Sequence, residues 1–180
     1  MNSDYDQLLE TMNIYSKPSD YFWDGYKKNV IDGDNIIQLD IIFNKKKSYN
    51  KKLYDLFLHN YSNNKEFSPL YQYKCALDLD YWITMYDIHS NLIIASCSLD
   101  YSSNTEYEIG DVLVEEQFRG NNYSVLLIMN VIAFIEQQHE KSTIKIKCLR
   151  HNSDAFYCYK KIFDIDYSDN SYVYFSIKIS

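Results

Sequence analysis

Short runs rich in β-branched and aromatic residues alternate along the chain with longer segments whose apolar residues follow helical spacing. The first kind predicts strands and the second predicts helices, because side chains alternate across a strand but recur on one face every three or four residues of a helix. Strands are predicted at 36–43, 81–88, 92–101, 106–114, 143–150 and 172–179. Helices are predicted at 3–15, 48–63, 121–139 and 152–162, with a weaker one at 65–79.

The linkers and the longest helix indicate how these elements are arranged. Three polar residues, His89 to Asn91, join two strand-like runs and predict a hairpin. Residues 121–139 are apolar almost all round, which is typical of a helix buried between two layers. Residues 17–35 contain a proline, two glycines and four aromatic residues, and we interpret them as an irregular lid or packing arm.

The order of the elements predicts the class of fold. Runs of strands interrupted by two late helices favour an α+β protein with a mixed sheet, in which the apolar helix forms one parallel crossover. The chain has 180 residues with no internal repeat and no linker, so we expect a single domain over residues 1–180.

Composition and charge argue against several classes of protein. Hydrophobic residues make up 46% of the chain, which indicates a globular rather than a disordered protein. The net charge of −7 would repel a phosphate backbone, so we expect no nucleic-acid partner, and the lysines at 45–47 and 51–52 are interpreted as a solvated face. We expect neither a membrane helix nor a signal peptide, because no apolar run has the length or the flanking pattern that either requires.

The cysteines and histidines carry no metal-ligand pattern. Cys75, Cys97, Cys148 and Cys158 lack CxxC pairing, so we expect free thiols in a reducing compartment and a cytoplasmic protein. The four histidines are scattered without a spacing such as HxxxH, and we expect them at loop or helix ends. The sequence therefore predicts no metal site.

The first candidate for chemistry is the pair Arg119-Gly120, between a strand ending at Val114 and a helix that starts near Asn121. A helix start leaves backbone N–H groups without partners and carries positive potential, so it can hold a phosphate. Arginine adds charge there, and glycine lets the backbone approach closely. Taken by itself, the same stretch also fits a polar loop that only caps a core helix.

A second stretch, NSDAFYCY at residues 152–159, changes that balance. It places Ala155 three residues and Tyr159 seven residues after Asn152, on the helix that follows the next strand. In this order the two stretches resemble the GCN5-related N-acetyltransferase (GNAT) family. The family pattern is a strand ending in valine, R/Q-x-x-G-x-G/A at a helix start, and a later N-x-x-A-x-x-x-Y. The family's arginine falls on Arg119.

The resemblance covers residues 36–179 and implies a GNAT-like acyltransferase core with residues 1–35 as an N-terminal extension. Two family glycines are replaced by Asn122 and Ser124, and the usual GF after the tyrosine helix is replaced by Phe163-Asp164. Asparagine tolerates a left-handed backbone best among non-glycine residues and serine is small, so we expect the turn to keep its shape.

The resemblance implies acetyl-coenzyme A as the donor. Its pyrophosphate would lie on the amides of residues 119–124, and its pantetheine arm would pair with the backbone of residues 112–114. Arg150 and either Lys160 or Lys161 could meet the adenosine 3′-phosphate, although surface charge explains them equally well. The predicted cofactor-binding residues are Val112, Leu113, Val114, Arg119, Gly120, Asn121, Asn122, Tyr123, Ser124 and Asn152.

Acetyl transfer to an amine needs a base for the amine and an acid for the leaving thiolate. The resemblance assigns the acid to Tyr159. It assigns the base to Glu108, six residues before the valine, with Glu106, Asp111 and a water chain as alternatives. Asn152 is expected to hydrogen-bond the cofactor or the tyrosine helix, or to serve only as a helix N-cap.

Two functional hypotheses follow. The first is an N-acetyltransferase that transfers acetyl directly to a primary amine: a polyamine, a lysine side chain, a protein N-terminus or an amino sugar. The acidic net charge leans towards a cationic acceptor. The second is a catalytically degenerate protein of the same fold that binds acyl-coenzyme A or a protein partner without turnover. The chain is expected to be a monomer or a homodimer, with residues 1–35 packing on the sheet, shaping the acceptor site or forming a dimer contact.

Overall fold

The computed structural model describes residues 26–32, 35–44, 51–62, 81–103, 105–139 and 141–180. The predicted helices at 3–15 and 65–79 and the first part of the predicted arm, residues 17–25, lie outside the described residues. Cys75 also lies outside them.

A mixed sheet forms the centre of the molecule. Its strands are β1 (Tyr26–Asp32), β2 (Asn35–Asn44), β3 (Tyr81–Asp87), β4 (Ile93–Ser103), β5 (Glu106–Val114), β6 (Ser142–Leu149), β7 (Asp164–Ser168) and β8 (Tyr172–Ile179). These eight strands of the described residues lie in the order β1-β2-β3-β4-β5-β6-β8-β7. Neighbours are antiparallel except β5 and β6, which are parallel. The predicted mixed sheet, hairpin and single parallel crossover are thereby confirmed.

Helices cover both faces of the sheet. They are α1 (Lys51–Tyr61), α2 (Tyr123–Gln138) and α3 (Ser153–Tyr159), and a short 3₁₀ turn occupies Glu116–Phe118. Helix α2 is buried along most of its length, as its all-round apolar sequence predicts. It packs in the large core with Ile83 of β3, while Phe57 of α1 packs in a second cluster with Trp82. Adjacent residues of a strand point to opposite faces, so α1 and α2 lie on opposite sides of the sheet.

Two strands were not predicted. Residues 26–32 belonged to the predicted irregular arm, but they form β1, which pairs with β2 in an antiparallel hairpin. The available signal was the DGDN sequence at 32–35, since Asp-Gly is a common hairpin turn. Strand β7 alternates apolar and polar residues, but all its residues are exposed at the sheet edge. The sequence does not predict β7, because the strand has no buried face and follows the last helix directly.

Strand β5 carries the irregularity that opens the sheet. Its parallel pairing with β6 ends at Ile109 and Ile146, although both strands continue beyond this point. On its other side, Asp111 and Val112 lie opposite one residue of β4, which is a β-bulge. Asp111 has a left-handed backbone with a φ of 45°. The sheet therefore splits next to a bulge, at the point where the chain leaves for α2.

Candidate active site

One cavity lies where β5 ends and α2 and α3 begin. It measures about 580 Å³, and its walls include Val112, Val114, Arg119, Gly120, residues 122–125 at the start of α2, and α3, but not the predicted residues Leu113 and Asn121. It contains Asn152 and Tyr159 as well, so the two sequence stretches that carry the family resemblance meet in space. We call it the donor cavity, after the acetyl donor that the family resemblance implies.

The loop before α2 has the backbone shape of an anion site. Gly120 has a φ of 83°, and a Cβ added there would meet nothing within 4 Å, so conformation rather than space calls for glycine. Asn122 has a φ of 57° and is the helix N-cap, which is the left-handed conformation that we expected it to tolerate. The Leu126 amide donates to the Asn122 carbonyl at 3.0 Å, which starts the helical hydrogen bonding. The amides before Leu126 have no partner within the helix and can bind a phosphate.

Arg119 does not point freely towards a ligand. Its Nε donates to the Val114 carbonyl at 3.2 Å, and its second guanidinium nitrogen donates to the side-chain oxygen of Asn60 at 2.8 Å. It therefore ties the loop to the end of β5 and to α1. The cation beside the loop is Lys161, whose Nζ donates to the Asn122 side chain at 3.2 Å. The sequence offered Lys161 only as one of several candidates for another phosphate.

The remaining predicted cofactor-binding residues differ in which of their atoms a ligand could reach. Tyr123 is buried with its ring edge-on to Phe118, so only its main chain is available to a ligand. Asn121 is exposed, and the hydroxyl of Ser124 lies 3.3 Å from the sulfur of Cys158. Asn152 caps α3, because its side-chain oxygen accepts from the amide of residue 155 at 3.1 Å. This is the bond of a helix N-cap, which was one of the predicted alternatives, and a bond from Asn152 to the cofactor stays a prediction.

Tyr159 lies at the junction of the donor cavity with a second one. Its side chain is only 6% exposed and packs edge-on against Phe175, with ring centroids 5.8 Å apart. Burial raises its pKa well above the usual value of 10, so the phenol keeps its proton at neutral pH. It lines both cavities, together with Val112 and Asn152.

A second cavity, which we call the acceptor cavity after the amine acceptor that the family resemblance implies, occupies the split between β5 and β6. It measures about 850 Å³ and is lined by the carboxylates of Asp100, Glu108, Asp111 and Asp154, with Lys147 on the facing strand. Among the described residues that line this cavity, four are acidic and one is a lysine, so this part of the lining is acidic. Such a lining attracts cations.

Two of the predicted base candidates are held in ion pairs. Glu108 lies 2.8 Å from Lys147, and this hydrogen bond raises the pKa of the lysine. Glu106 lies 3.0 Å from Lys145. All four side chains in these pairs are between 42% and 47% exposed, so each pair contributes little to stability.

Asp111 has a different environment. Burial raises the pKa of its carboxyl, and this effect outweighs the lowering by hydrogen bonds from Ser98 and Tyr61 and by the charge of Lys147. The Ser98 hydroxyl donates at 3.4 Å. Next to Asp111, a Cβ added at Gly110 would lie 2.8 Å from the same serine oxygen, so the close approach of the two strands requires glycine.

The end of α1 reaches both cavities, and sequence reasoning did not foresee this. His59 contacts Glu115 at 3.2 Å, Asn60 accepts from Arg119, and Tyr61 hydrogen-bonds Asp111. Burial, and then the charge of Asp111, raises the pKa of Tyr61. These contacts join residues far apart in the chain, so no local sequence pattern could have predicted them.

The four histidines lie at loop or helix ends, as expected. His59 is in the last turn of α1 and His89 is in the β3–β4 turn. His139 ends α2, and His151 follows β6. Cys97, Cys148 and Cys158 are free thiols.

The described residues contain neither a metal-ligand cluster nor a membrane-spanning helix. No group of three or more His, Cys, Asp or Glu side chains in this part of the chain could hold a metal ion. Within the same residues, no helix has the length and apolarity needed to cross a membrane.

Comparison with known proteins accords with this geometry. The sequence profile of the Acetyltransferase (GNAT) family matches residues 50–164, which is more than half of the chain. The chain belongs to the GNAT acetyltransferase family. Its matched residues include β5, the loop, α2 and α3, which together form the donor cavity. No curated protein sequence matches the chain significantly.

Solved structures share the fold at low identity. An N-acetyltransferase from Campylobacter jejuni, in complex with acetyl coenzyme A, is 17% identical with a TM-score of 0.56, and the match covers 78% of this chain and 99% of that one. A GNAT family acetyltransferase from Elizabethkingia anophelis, with acetyl-CoA bound, is 17% identical with a TM-score of 0.60, covering 78% and 98%. A GNAT family acetyltransferase from Listeria monocytogenes is 13% identical with a TM-score of 0.58, covering 84% and 99%. The GNAT-like fold predicted from sequence is therefore confirmed.

Proposed function

We propose that this protein transfers an acetyl group from acetyl-coenzyme A to a primary amine by direct attack, with both substrates bound. The observation that carries the proposal is the meeting of two cavities at Tyr159. One has a helix start suited to phosphate, and the other is open and acidic. A donor and an acceptor that enter from the two sides would meet beside this phenol.

The donor would bind through the main chain. The amides from Gly120 to Ser124 would hold the pyrophosphate, with the ammonium of Lys161 close by. The pantetheine arm would lie along residues 112–114 of β5, beyond the point where pairing with β6 ends. The fold neighbours that contain acetyl-CoA support this choice of donor.

The reaction requires two proton transfers. The amine nitrogen forms a bond to the acetyl carbon, the carbon–sulfur bond breaks, and the thiolate takes a proton from Tyr159. The buried phenol still has its proton at neutral pH, and burial of the thiolate raises its affinity for a proton in turn. A carboxylate of the acceptor cavity takes the amine proton. Glu108 remains the base predicted from sequence, and it would have to part from Lys147 to act.

The acceptor that we favour is a cationic primary amine, such as a polyamine or a lysine side chain. An acidic cavity concentrates cations and orients an ammonium group towards its carboxylates. An amino sugar and a protein N-terminus are the other candidates, and a panel of amines separates them.

A second candidate function is binding of acyl-coenzyme A, or of a protein partner, without turnover. Two observations favour it: Asn122 and Ser124 replace glycines in the loop, and the guanidinium of Arg119 already binds Val114 and Asn60. A donor would have to bind this loop without that arginine, or displace its contacts.

One experiment separates the two candidates. Release of coenzyme A is measured with acetyl-coenzyme A and spermidine, α-N-acetyllysine amide, glucosamine or a short peptide with a free N-terminus, and donor affinity is measured by calorimetry. For the enzyme we expect amine-dependent release that Tyr159→Phe slows by about 10²- to 10⁴-fold without loss of donor binding. Tyr167→Phe is the control, since that ring is 59% exposed and lines neither cavity. Binding without release supports the module, and no binding at all contradicts both candidates.

A further inference from the structure

We propose that Asp111, and not Glu108, takes the proton from the attacking amine. The inference rests on the proposed acetyl transfer and names the base of that reaction. Three features of the structure carry it: the place of Asp111 along β5, the bulge that turns its side chain, and the groups that surround it.

Place along the strand is the first feature. Glu108 pairs with residues on both neighbouring strands, in the part of β5 where the sheet is still closed. Asp111 comes after the last residue of β5 that pairs with β6, and it is adjacent to Val112, which lines both cavities. Four residues of strand, about 13 Å, separate Glu108 from Val112. A base must come within about 3 Å of the proton that it takes, and Asp111 is better placed for a thioester beside Val112.

The bulge is the second feature. Asp111 and Val112 together face one residue of β4, and Asp111 has a φ of 45°. Such a backbone is costly for a residue other than glycine and is found where a side chain must be aimed in a particular direction. Here the carboxylate lines the acceptor cavity, and hydrogen bonds from Ser98 of β4 and Tyr61 of α1 hold it. Strand geometry without the bulge would not produce this orientation.

The surroundings are the third feature. Glu108 is 44% exposed and is already engaged with its own counter-ion, Lys147, at 2.8 Å. The titratable groups that act on Asp111 come from three elements: Tyr61 of α1, Cys97 of β4 and Lys147 of β6. Burial dominates over them and makes the Asp111 carboxylate more basic than an ordinary one. A carboxylate of this kind suits proton abstraction from an amine near neutral pH.

An ammonium acceptor first loses one proton to bulk solvent, and the proton balance of the transfer from the neutral amine then closes within the site. Asp111 gains the proton that leaves the amine nitrogen as the new carbon–nitrogen bond forms, and Tyr159 gives its phenolic proton to the departing sulfur. The resulting carboxylic acid and phenolate both line the acceptor cavity. Return of the proton from Asp111 to Tyr159 through solvent in that cavity restores the starting state.

The test compares pH profiles of kcat/KM for Asp111→Asn, Glu108→Gln and Glu106→Gln, using the amine from the panel above that gives the fastest release. We expect Asp111→Asn to lower kcat/KM by about 100-fold or more at neutral pH. This variant should also lose the increase of kcat/KM with pH on the acid side of the profile. Glu108→Gln should keep that increase with pH, and its kcat/KM should fall by less than that of Asp111→Asn. Glu106→Gln is the matched control, because this residue pairs with Lys145 in the same way. Calorimetry with acetyl-coenzyme A should give the same affinity for all four proteins.

A milder variant guards against misfolding. Ser98→Ala removes a donor that stabilises the charged form of Asp111, so the acid side of the profile should move to higher pH without loss of the plateau. An acid limb that survives in Asp111→Asn but disappears in Glu108→Gln would overturn the assignment while leaving acetyl transfer intact. Wild-type protein that binds acetyl-coenzyme A and releases none with any amine would overturn both.

Discussion

Gly110 and Ser98 face each other across β5 and β4, and their close approach can be measured by a double-mutant cycle. A Cβ at Gly110 would lie 2.8 Å from Ser98 Oγ, closer than side chains in proteins approach. Among the described glycines Gly120 has a positive φ and Gly110 does not. Gly110→Ala therefore causes a steric clash without left-handed backbone strain. Either the serine side chain or the strands must move to admit the new methyl group.

The magnitude follows from the two contacts involved. Forcing a methyl group into a packed strand pair costs about 1–3 kcal/mol, and removing the Ser98 hydroxyl costs about 1 kcal/mol. In the double variant the obstructing oxygen is gone, so the methyl group takes its space. We therefore expect the double variant to be more stable than the sum of the single effects predicts, by about 1–2 kcal/mol.

Urea unfolding of the four proteins at pH 7 gives the coupling energy. The control is Gly120→Ala, where an added Cβ meets nothing within 4 Å but φ is 83°. Its cost of about 1–2 kcal/mol is conformational and should add to that of Ser98→Ala within about 0.5 kcal/mol. If Gly110→Ala is equally additive with Ser98→Ala, the steric reasoning is refuted.

Three further predictions concern the site. Tyr159→Phe should lower kcat by about 10²- to 10⁴-fold with unchanged donor affinity by calorimetry, and a parallel loss of affinity would contradict its role as the acid. Asp111→Asn should stabilise the protein at pH 7, because the pKa of Asp111 is higher in the folded than in the unfolded protein. The wild-type protein therefore loses stability as pH rises from the unfolded pKa of about 4 through the folded pKa, whereas the asparagine variant does not. The gain in urea midpoint should vanish below about pH 4. Arg119→Lys cannot bind Val114 and Asn60 together, so the melting temperature should fall by about 2–4 °C per kcal/mol lost. Weaker donor binding at an unchanged melting temperature would instead indicate that Arg119 contacts phosphate directly.

Local sequence determined the elements that build the donor cavity. The apolar run of α2 fixes a buried helix, and the left-handed conformations of Gly120 and Asn122 follow from residue types that tolerate them. The N-cap at Asn152 likewise depends on a side chain and an amide three residues apart. These features depend on residues only a few positions apart in the chain, so the order of the two motifs in the sequence was enough to predict the fold.

The strands at the margins and the partners of charged groups needed the tertiary structure. Strand β7 has no buried face to reveal it, and β1 is defined by its pairing with β2. Arg119 was predicted to face a phosphate, yet it binds Asn60, which lies 59 residues earlier in the chain. Spacing in the sequence cannot show which partner a long side chain will find.

The sequence by itself thus determined a GNAT-like core, a helix start suited to phosphate, and a tyrosine on the following helix. The tertiary structure decided which carboxylate is buried and which is neutralised. Lys147 reaches Glu108 because β6 lies beside β5, and Asp111 turns into the cavity because one residue of β4 faces two of β5. Proton affinity depends on solvation and on charges from distant segments, and these exist only once the strands have come together.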